Sequence, residues 1–239
     1  MRTNDRGRSI RIGIQDHCPP ISFVDNHGER TGLCVEIARD FVDRVSAEVQ
    51  LCVLPWKGLV DALAARQIDV IASDLTPRDP APTGLRYTSP FFFGEVVTYT
   101  RSDTQFEHWS DIDRRDVTIV VAEDTIYAAY AQRHLPHANL AVFGCSGAET
   151  ARAVATGMAD AGMKDRGNAL QYPRMFENLR IVDGVVAESP LSFGVRNDDE
   201  DLYRRIDEYL AGLRDDPAFH GRLDYWWCSR AWEDDHDWL

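Results

Sequence analysis

Three short apolar runs in this 239-residue sequence are followed within two residues by carboxylates. Val70-Ile71-Ala72 leads to Asp74, Val117 through Ala122 leads to Glu123 and Asp124, and Ala161 through Met163 leads to Asp165. A carboxylate at the end of a strand can make a charge-assisted hydrogen bond to an amine. Crowded carboxylates can also serve as an acid/base set, because proximity raises one pKa toward neutrality. Trp56 could cover an aliphatic chain or draw a cation over its face; it could equally be a core residue beside the helix that begins near Leu59. Cys18 follows His17, and an imidazolium there would favour a nucleophilic thiolate. Arg78 and Arg86 follow Thr76, and a guanidinium fork suits a carboxylate. Two further groups carry less. His134-Leu135-Pro136-His137 contains a proline and poor helical geometry for a metal. Asp234-Asp235-His236-Asp237 resembles a metal run by composition only and reads as a solvated acidic tail. No metal and no cofactor is expected.

These residues need elements to hold them. Ile10–Ile14 predicts a strand, followed by a loop with Cys18-Pro19-Pro20. Over residues 31–49, Leu33, Ile37, Phe41 and Val45 recur every fourth position and form one apolar helix face. Strand Val49–Leu54, helix Leu59–Arg66 and a strand from Val70 follow. This β-α-β-α-β alternation predicts mostly parallel strands with helices on the faces. Thr76–Gly84 is proline-rich and excludes helix or central strand. Phe91–Thr100 reads as extended. A second α/β cycle spans strands near 117–122, 140–143, 161–163 and 179–182, with helices near 125–135 and 148–156. Leu191–Val195 is a last extended segment, and helices near 200–213 and 217–227 close the chain. Those final helices have no sheet of their own. The economical arrangement is therefore α/β with a discontinuous lobe 1 of residues 1–96 plus 191–239. Lobe 2 is 97–190, the two crossing segments form a two-strand hinge, and a ligand cleft lies between the lobes. Ligands on open α/β sheets bind outside the carboxyl ends of strands.

Composition narrows the function. The formal net charge is -13, from 26 basic and 39 acidic residues. Nucleic-acid binding needs a basic face and is not expected; attraction to anionic membrane is disfavoured for the same reason. No apolar run approaches the roughly 20 residues needed to span a bilayer. The N-terminal MRTNDRGRSIRIGI lacks an apolar signal core, so a cytoplasmic location is expected, or a periplasmic or extracellular one if a leader has been removed. Five cysteines, an odd number without a CxxC pair, do not indicate a disulfide framework or zinc ribbon.

The order and spacing of several short segments carry a resemblance. They are Cys18-Pro19-Pro20-Ile21-Ser22-Phe23, Gly32 through Ala38, Trp56-Lys57-Gly58-Leu59, Gln67 through Ile71, Tyr87-Thr88-Ser89-Pro90-Phe91, Gly157 through Ala161, and Asp165. The chain resembles the type II periplasmic solute-binding proteins, in the family that binds polar amino acids, from Ile10 to about Trp227. That implies a two-lobed fold and a small-molecule ligand in the cleft, with an ABC permease as partner if the protein is exported. The fold also hosts cyclohexadienyl dehydratase, to which the Leu210–Asp216 segment and the tryptophan-rich tail look similar.

Carried onto these residues, the resemblance places Asp165 at the carboxylate that holds a ligand's α-ammonium, although it also reads as a helix N-cap. Trp56 matches the apolar wall, and Cys18 replaces an aromatic residue opposite it. The arginine that grips the ligand carboxylate would fall at Ala81, leaving Arg78 or Arg86 as substitutes. Glu123 and Asp124 stand where small residues and backbone N–H groups normally receive that carboxylate; as acidic residues at a helix start they would satisfy the helix end themselves and repel an anion. Asp74 stands where glycine or serine is usual. The ligand-binding set is thus Cys18, Trp56, Asp74, Thr76, Arg78, Glu123, Asp124 and Asp165, and it favours a small polar, amine-bearing metabolite. The alternative is a cytoplasmic biosynthetic enzyme, a lyase or dehydratase acting on a prephenate- or arogenate-like acid. Its catalytic group would be drawn from Cys18, Asp74 and Asp165. Against it, Asn168 stands where the dehydratase has its acidic residue, and an amide cannot donate a carboxyl proton.

Overall fold

The computed structural model describes residues 9–45, 48–143 and 146–236. Cys145, Asp237 and Trp238 lie outside the described residues. The elements run as follows: β1 (Ser9–Gln15), β2 (Phe23–Val24), β3 (Arg30–Thr31), α1 (Leu33–Val45), β4 (Glu48–Leu54), α2 (Trp56–Ala64), β5 (Val70–Leu75), β6 (Leu85–Tyr87), β7 (Phe92–Arg101), β8 (Thr118–Val121), α3 (Tyr127–His134), β9 (Asn139–Val142), α4 (Gly147–Ala155), β10 (Ala161–Asp165), α5 (Arg166–Ala169), α6 (Tyr172–Met175), β11 (Leu179–Ile181), β12 (Ala187–Arg196), α7 (Glu200–Leu213), α8 (Pro217–Leu223) and α9 (Trp232–Asp235). The chain divides into two compact units. Unit 1 holds the described residues through Phe92 and from Pro190 onward; unit 2 is Phe93–Ser189.

In unit 1, β1 lies between β4 and β5, parallel to both. β12 adds antiparallel to β5, and β6 adds antiparallel to β12. Strand alternation builds two cores. Val70 and Ala72 point into a large cluster with Ile12, Ile14, Phe41, Leu210, Trp226 and Trp227. Ile71 and Leu75 point the other way, onto Leu59 and Leu63 of α2. The same alternation carries Asp74 to the side of Val70 and Ala72. Helix α1 begins where Gly32 takes φ +122°, and a Cβ there would lie 2.5 Å from the Ile21 carbonyl oxygen. Only glycine permits that approach. It lets Leu33 and Cys34 donate their N–H groups to the Pro20 and Ile21 carbonyls, which satisfies donors a helix N-terminus otherwise leaves open.

In unit 2, the strand order is β11-β7-β10-β8-β9. β10, β8 and β9 are mutually parallel, while β7 and β11 are antiparallel to their neighbours. Met163 and Ala161 face the α3 cluster with Val121 and Tyr127, and Val120 faces the α4 cluster with Ala151 and Val154. Helix α4 is opened by Ser146 and Glu149 in a reciprocal capping box.

The alternation of strands and helices matches expectation, with boundaries displaced by a few residues. The sequence reading did not place the β2–β3 hairpin, β6, or the short helical turns at Trp109–Ile112, α6 and α9; α5 starts after Asp165, where a helix N-cap was expected. The last long helix was expected to continue to Trp227; α8 instead ends at Leu223 and a wider turn covers Asp224–Cys228. Trp226, Trp227 and Trp232 are buried in the unit 1 core. The acidic tail is anchored as well: His236 stacks on Trp226 and shares a hydrogen bond with Asp25. Among the described residues no cluster of ligating side chains suits a metal, and no helix is long and apolar enough to cross a membrane.

Candidate functional site

In unit 1 the candidate residues sit at the carboxyl ends of three adjacent parallel strands. Cys18 lies three positions beyond β1, Trp56 two beyond β4, and Asp74 within β5, with Thr76 and Arg78 just after it. The loop carrying Cys18 is stapled from several directions. Its amide donates to the Ser22 carbonyl at 2.7 Å, and its carbonyl accepts from Ile21 and Ser22. Arg30, from β3, donates to the Gln15 and Asp16 carbonyls and to Ser22 Oγ. Ser22 Oγ in turn donates to the Gln15 carbonyl at 2.8 Å. Sequence reasoning missed Arg30; a basic residue in a two-strand hairpin gives no signal of its partner.

Cys18 itself is half-buried against the unit 1 core. Desolvation holds the His17 imidazole below its ordinary pKa, against an opposing pull from Asp16. That direction disfavours the imidazolium that would favour a Cys18 thiolate. Trp56 opens α2 half-buried and packs on the Leu59–Leu63 cluster. Asp74 accepts a hydrogen bond from Ser73 Oγ at 2.9 Å. Arg86 is engaged elsewhere: it pairs with Glu200 at 2.6 Å and lies over the Tyr203 ring at 3.3 Å. Arg78 is half-buried and makes no hydrogen bond or ion pair among the described residues. Of the two possible carboxylate forks, Arg78 is therefore the one not already committed.

In unit 2, Glu123 and Asp124 follow β8, and Asp165 ends β10, the strand beside it. The expectation that Glu123 and Asp124 cap the next helix is corrected. α3 starts only at Tyr127, its cap position is Ile126, and no side chain caps it. Asp124 instead takes φ +59°, turning the chain ahead of the helix. Short acidic side chains tolerate that conformation. Thr125 Oγ1 donates to the Ala122 carbonyl and closes the turn. Both acidic residues are exposed.

Asp165 is 1% exposed. As the N-cap of α5 it accepts the Asn168 N–H at 3.1 Å, and also Asn168 Nδ2 at 2.7 Å. Its other oxygen accepts from the Tyr127 hydroxyl and pairs with Lys164 Nζ at 2.8 Å. Lys164 also donates to the Tyr127 hydroxyl at 3.2 Å. Burial alone would raise the Asp165 pKa; the Lys164 ammonium and the hydrogen bonds outweigh it and hold the carboxyl below its usual range. Strand alternation explains the meeting, since Asp165 falls on the Met163 side, where Tyr127 begins α3. Lys164 and Tyr127 were not singled out by sequence; the basic residue next to Asp165 was the available signal.

A family model describing bacterial extracellular solute-binding proteins, family 3, matches residues 10–228. The chain belongs to that family. The chain is 20% identical over 226 residues to the L-cystine-binding protein TcyJ of Escherichia coli, covering 94% of this chain and 84% of that protein. It is 24% identical over 219 residues to a protein of Haemophilus influenzae named as an amino-acid ABC transporter-binding protein, covering 89% and 82%. Among solved structures it resembles the ancestral amino acid-binding protein AncCDT-1, a precursor of cyclohexadienyl dehydratase, at TM-score 0.79 and 24% identity over 93% of this chain and 96% of that one. It also resembles holo ArgBP from T. maritima, at TM-score 0.76 and 24% identity over 92% and 96%. These structures bear on the fold alone: this family 3 chain has the α/β, two-lobed architecture of type II periplasmic binding proteins.

Proposed function

We propose that this family 3 protein binds a small, polar, amine-bearing carboxylic acid of the amino-acid class. The observation that carries the reading is the placement of every candidate residue at strand carboxyl ends. Cys18, Trp56, Asp74, Thr76 and Arg78 are so placed in unit 1, and Glu123, Asp124 and Asp165 in unit 2. That is where open α/β sheets hold ligands. The names of its relatives, which bind L-cystine or serve amino-acid transport, support the same class. Arg78 offers an uncommitted guanidinium in unit 1, and in unit 2 the exposed acidic residues Glu123 and Asp124 suit a positive group. An ABC permease is the partner this reading implies if the protein is exported; a cytoplasmic location would instead make it a metabolite binder without that partner. The dehydratase-like alternative gains nothing from the site, since Asn168 is committed as a donor to Asp165. The test is mass spectrometry of small molecules released from the purified protein, followed by calorimetric titration of each. Stoichiometric recovery and tight rebinding of an unchanged amine-bearing acid supports the reading. Recovery of a chemically converted product, or of a ligand lacking both amine and guanidinium, contradicts it.

A further inference from the structure

Lys164 and Asp165 are neighbours on β10 whose charges meet within the protein, at 2.8 Å. Their exposures differ. The side chain of Asp165 is 1% exposed and that of Lys164 is 15% exposed. The carboxylate is enclosed by Tyr127, Asn168 and Lys164. Of the two side chains, that of Lys164 keeps the larger exposed area, and its ammonium also donates to the Tyr127 hydroxyl.

Two physical consequences follow. An ammonium group on the solute would have to displace Lys164 from Asp165 to gain that carboxylate, exchanging one ion pair for another with no net gain in pairing. A carboxylate on the solute can instead accept from the Lys164 ammonium, which carries donors only. The acidic residues Glu123 and Asp124 end the next parallel strand, so a positive group on the same solute has somewhere to go one strand away.

We propose that Lys164 sets the ligand specificity of unit 2: it supplies Asp165 with its counter-ion from within the chain and takes a carboxylate of the ligand, so that the ligand needs a carboxylate and a distal amine or guanidinium but no α-amine. The favoured class is an ω-amino or ω-guanidino carboxylic acid. This proposal rests on the strand-end reading of the binding site given above.

The test uses two series of compounds that differ only at the α-carbon. One is ornithine, 5-aminopentanoate and putrescine; the other is arginine, 5-guanidinopentanoate and agmatine. Each is titrated calorimetrically into the full chain. In at least one series the deaminated acid is expected to bind within about threefold of the amino acid, because a hydrogen bond to Asp165 that merely replaces one from Lys164 contributes little net. The decarboxylated amine is expected to bind roughly tenfold or more weakly, the ordinary effect of losing a charged hydrogen bond. In Lys164→Gln the order shifts: Asp165 becomes available to an α-ammonium, and the amino acid gains over its deaminated analogue by about tenfold. Lys164→Arg retains the counter-ion and keeps the unsubstituted preference. Circular dichroism checks that each variant folds; should Lys164→Gln fail to fold, the wild-type ratios still decide. A strong requirement for the α-amine in the wild type, or equal binding of acid and decarboxylated amine, overturns the role of Lys164 while leaving the binding function intact. Failure of all six compounds to bind overturns this proposal alone, since the binding reading is decided separately by the molecules released from the purified protein.

Discussion

The carboxylate of Asp69 lies 2.8 Å from the guanidinium of Arg196, although 127 residues separate them in sequence. Asp69 also receives the Arg11 backbone N–H at 2.9 Å and its guanidinium at 3.0 Å. One carboxylate thus ties β1, the turn before β5, and the end of β12. Asp69 and Arg196 are both nearly buried, at 6% and 8% side-chain exposure. Arg196 is further held by the Ile68 carbonyl and Asp199. Removing one partner of a buried pair leaves an uncompensated charge, at a cost of about 3–5 kcal/mol. Asp69→Asn is expected to lower the unfolding free energy from urea denaturation by that much, with no change in ligand stoichiometry. Loss of under about 1 kcal/mol, the value of an exposed pair, would show the network to be dispensable.

The same residue sets an acid limit. Burial opposes ionisation of Asp69, but the Arg11 and Arg196 bonds dominate and bring its pKa down to about 2 from an ordinary 3.8. The folded state then holds the Asp69 proton more weakly than the unfolded chain does. Its contribution is complete above about pH 4 and disappears as pH falls through about 2. Buried Asp165, also held low by Lys164, adds in the same direction. Unfolding free energy should therefore fall as pH is lowered below 4, and Asp69→Asn should flatten that slope. An unchanged slope in the variant would contradict the assignment.

How much of this was legible beforehand depends on range. The amphipathic face of α1 and the Val70–Ala72 run follow from residue spacing, because periodicity is a local property. So did the strand-end positions of Asp74 and Asp165. The links that fix those positions are long-range: Arg11 to Asp69, Arg30 to Gln15, Lys164 to Tyr127. Side-chain links of that kind have no periodic signature. Glu123 and Asp124 misled for a different reason. Acidic residues before a helical pattern look like caps, but the left-handed turn at Asp124 delays the helix to Tyr127, and nothing local announces that turn.

Gly32 can be tested by one methyl group. At φ +122° its added Cβ would meet the Ile21 carbonyl oxygen at 2.5 Å, with the Pro20 oxygen at 2.9 Å. Those are the carbonyls that accept from the start of α1. Gly32→Ala should cost about 1–3 kcal/mol of backbone strain. It should also loosen the Cys18 loop, seen as faster hydrogen exchange at Cys18, Leu33 and Cys34. A stability equal to wild type would mean the turn relaxes without penalty.

The two arginines after Thr76 are expected to behave differently. Arg86 is held by Glu200 and the Tyr203 ring near the surface, where such contacts contribute at most about 1 kcal/mol. Arg86→Ala should leave ligand affinity unchanged. Arg78→Ala should weaken binding of a carboxylate-bearing ligand by roughly tenfold or more if its fork meets that group, with no loss of stability. Calorimetric titration of both variants decides the matter, and the reverse pattern would move the fork to Arg86.

The C-terminal segment gives a final, independent check. His236 Nδ1 lies 3.0 Å from Asp25 Oδ2, and its ring stacks on Trp226 with centroids 5.3 Å apart. Trp232 packs between Phe23 and Trp226. The hydrogen bond to His236 keeps the Asp25 carboxyl below its ordinary range, with desolvation opposing. The bond is thus present above about pH 4 and is lost as Asp25 protonates below it. His236→Ala removes the polar clasp while leaving the tryptophan in place, so exchange should quicken across residues 229–236 with little change in global unfolding. Trp232→Ala empties a buried site, and its loss should reach about 3–5 kcal/mol, as for other buried tryptophans. If the two variants destabilised the chain equally, the segment would be held by its hydrogen bond rather than by the aromatic packing, and the order argued here would be reversed.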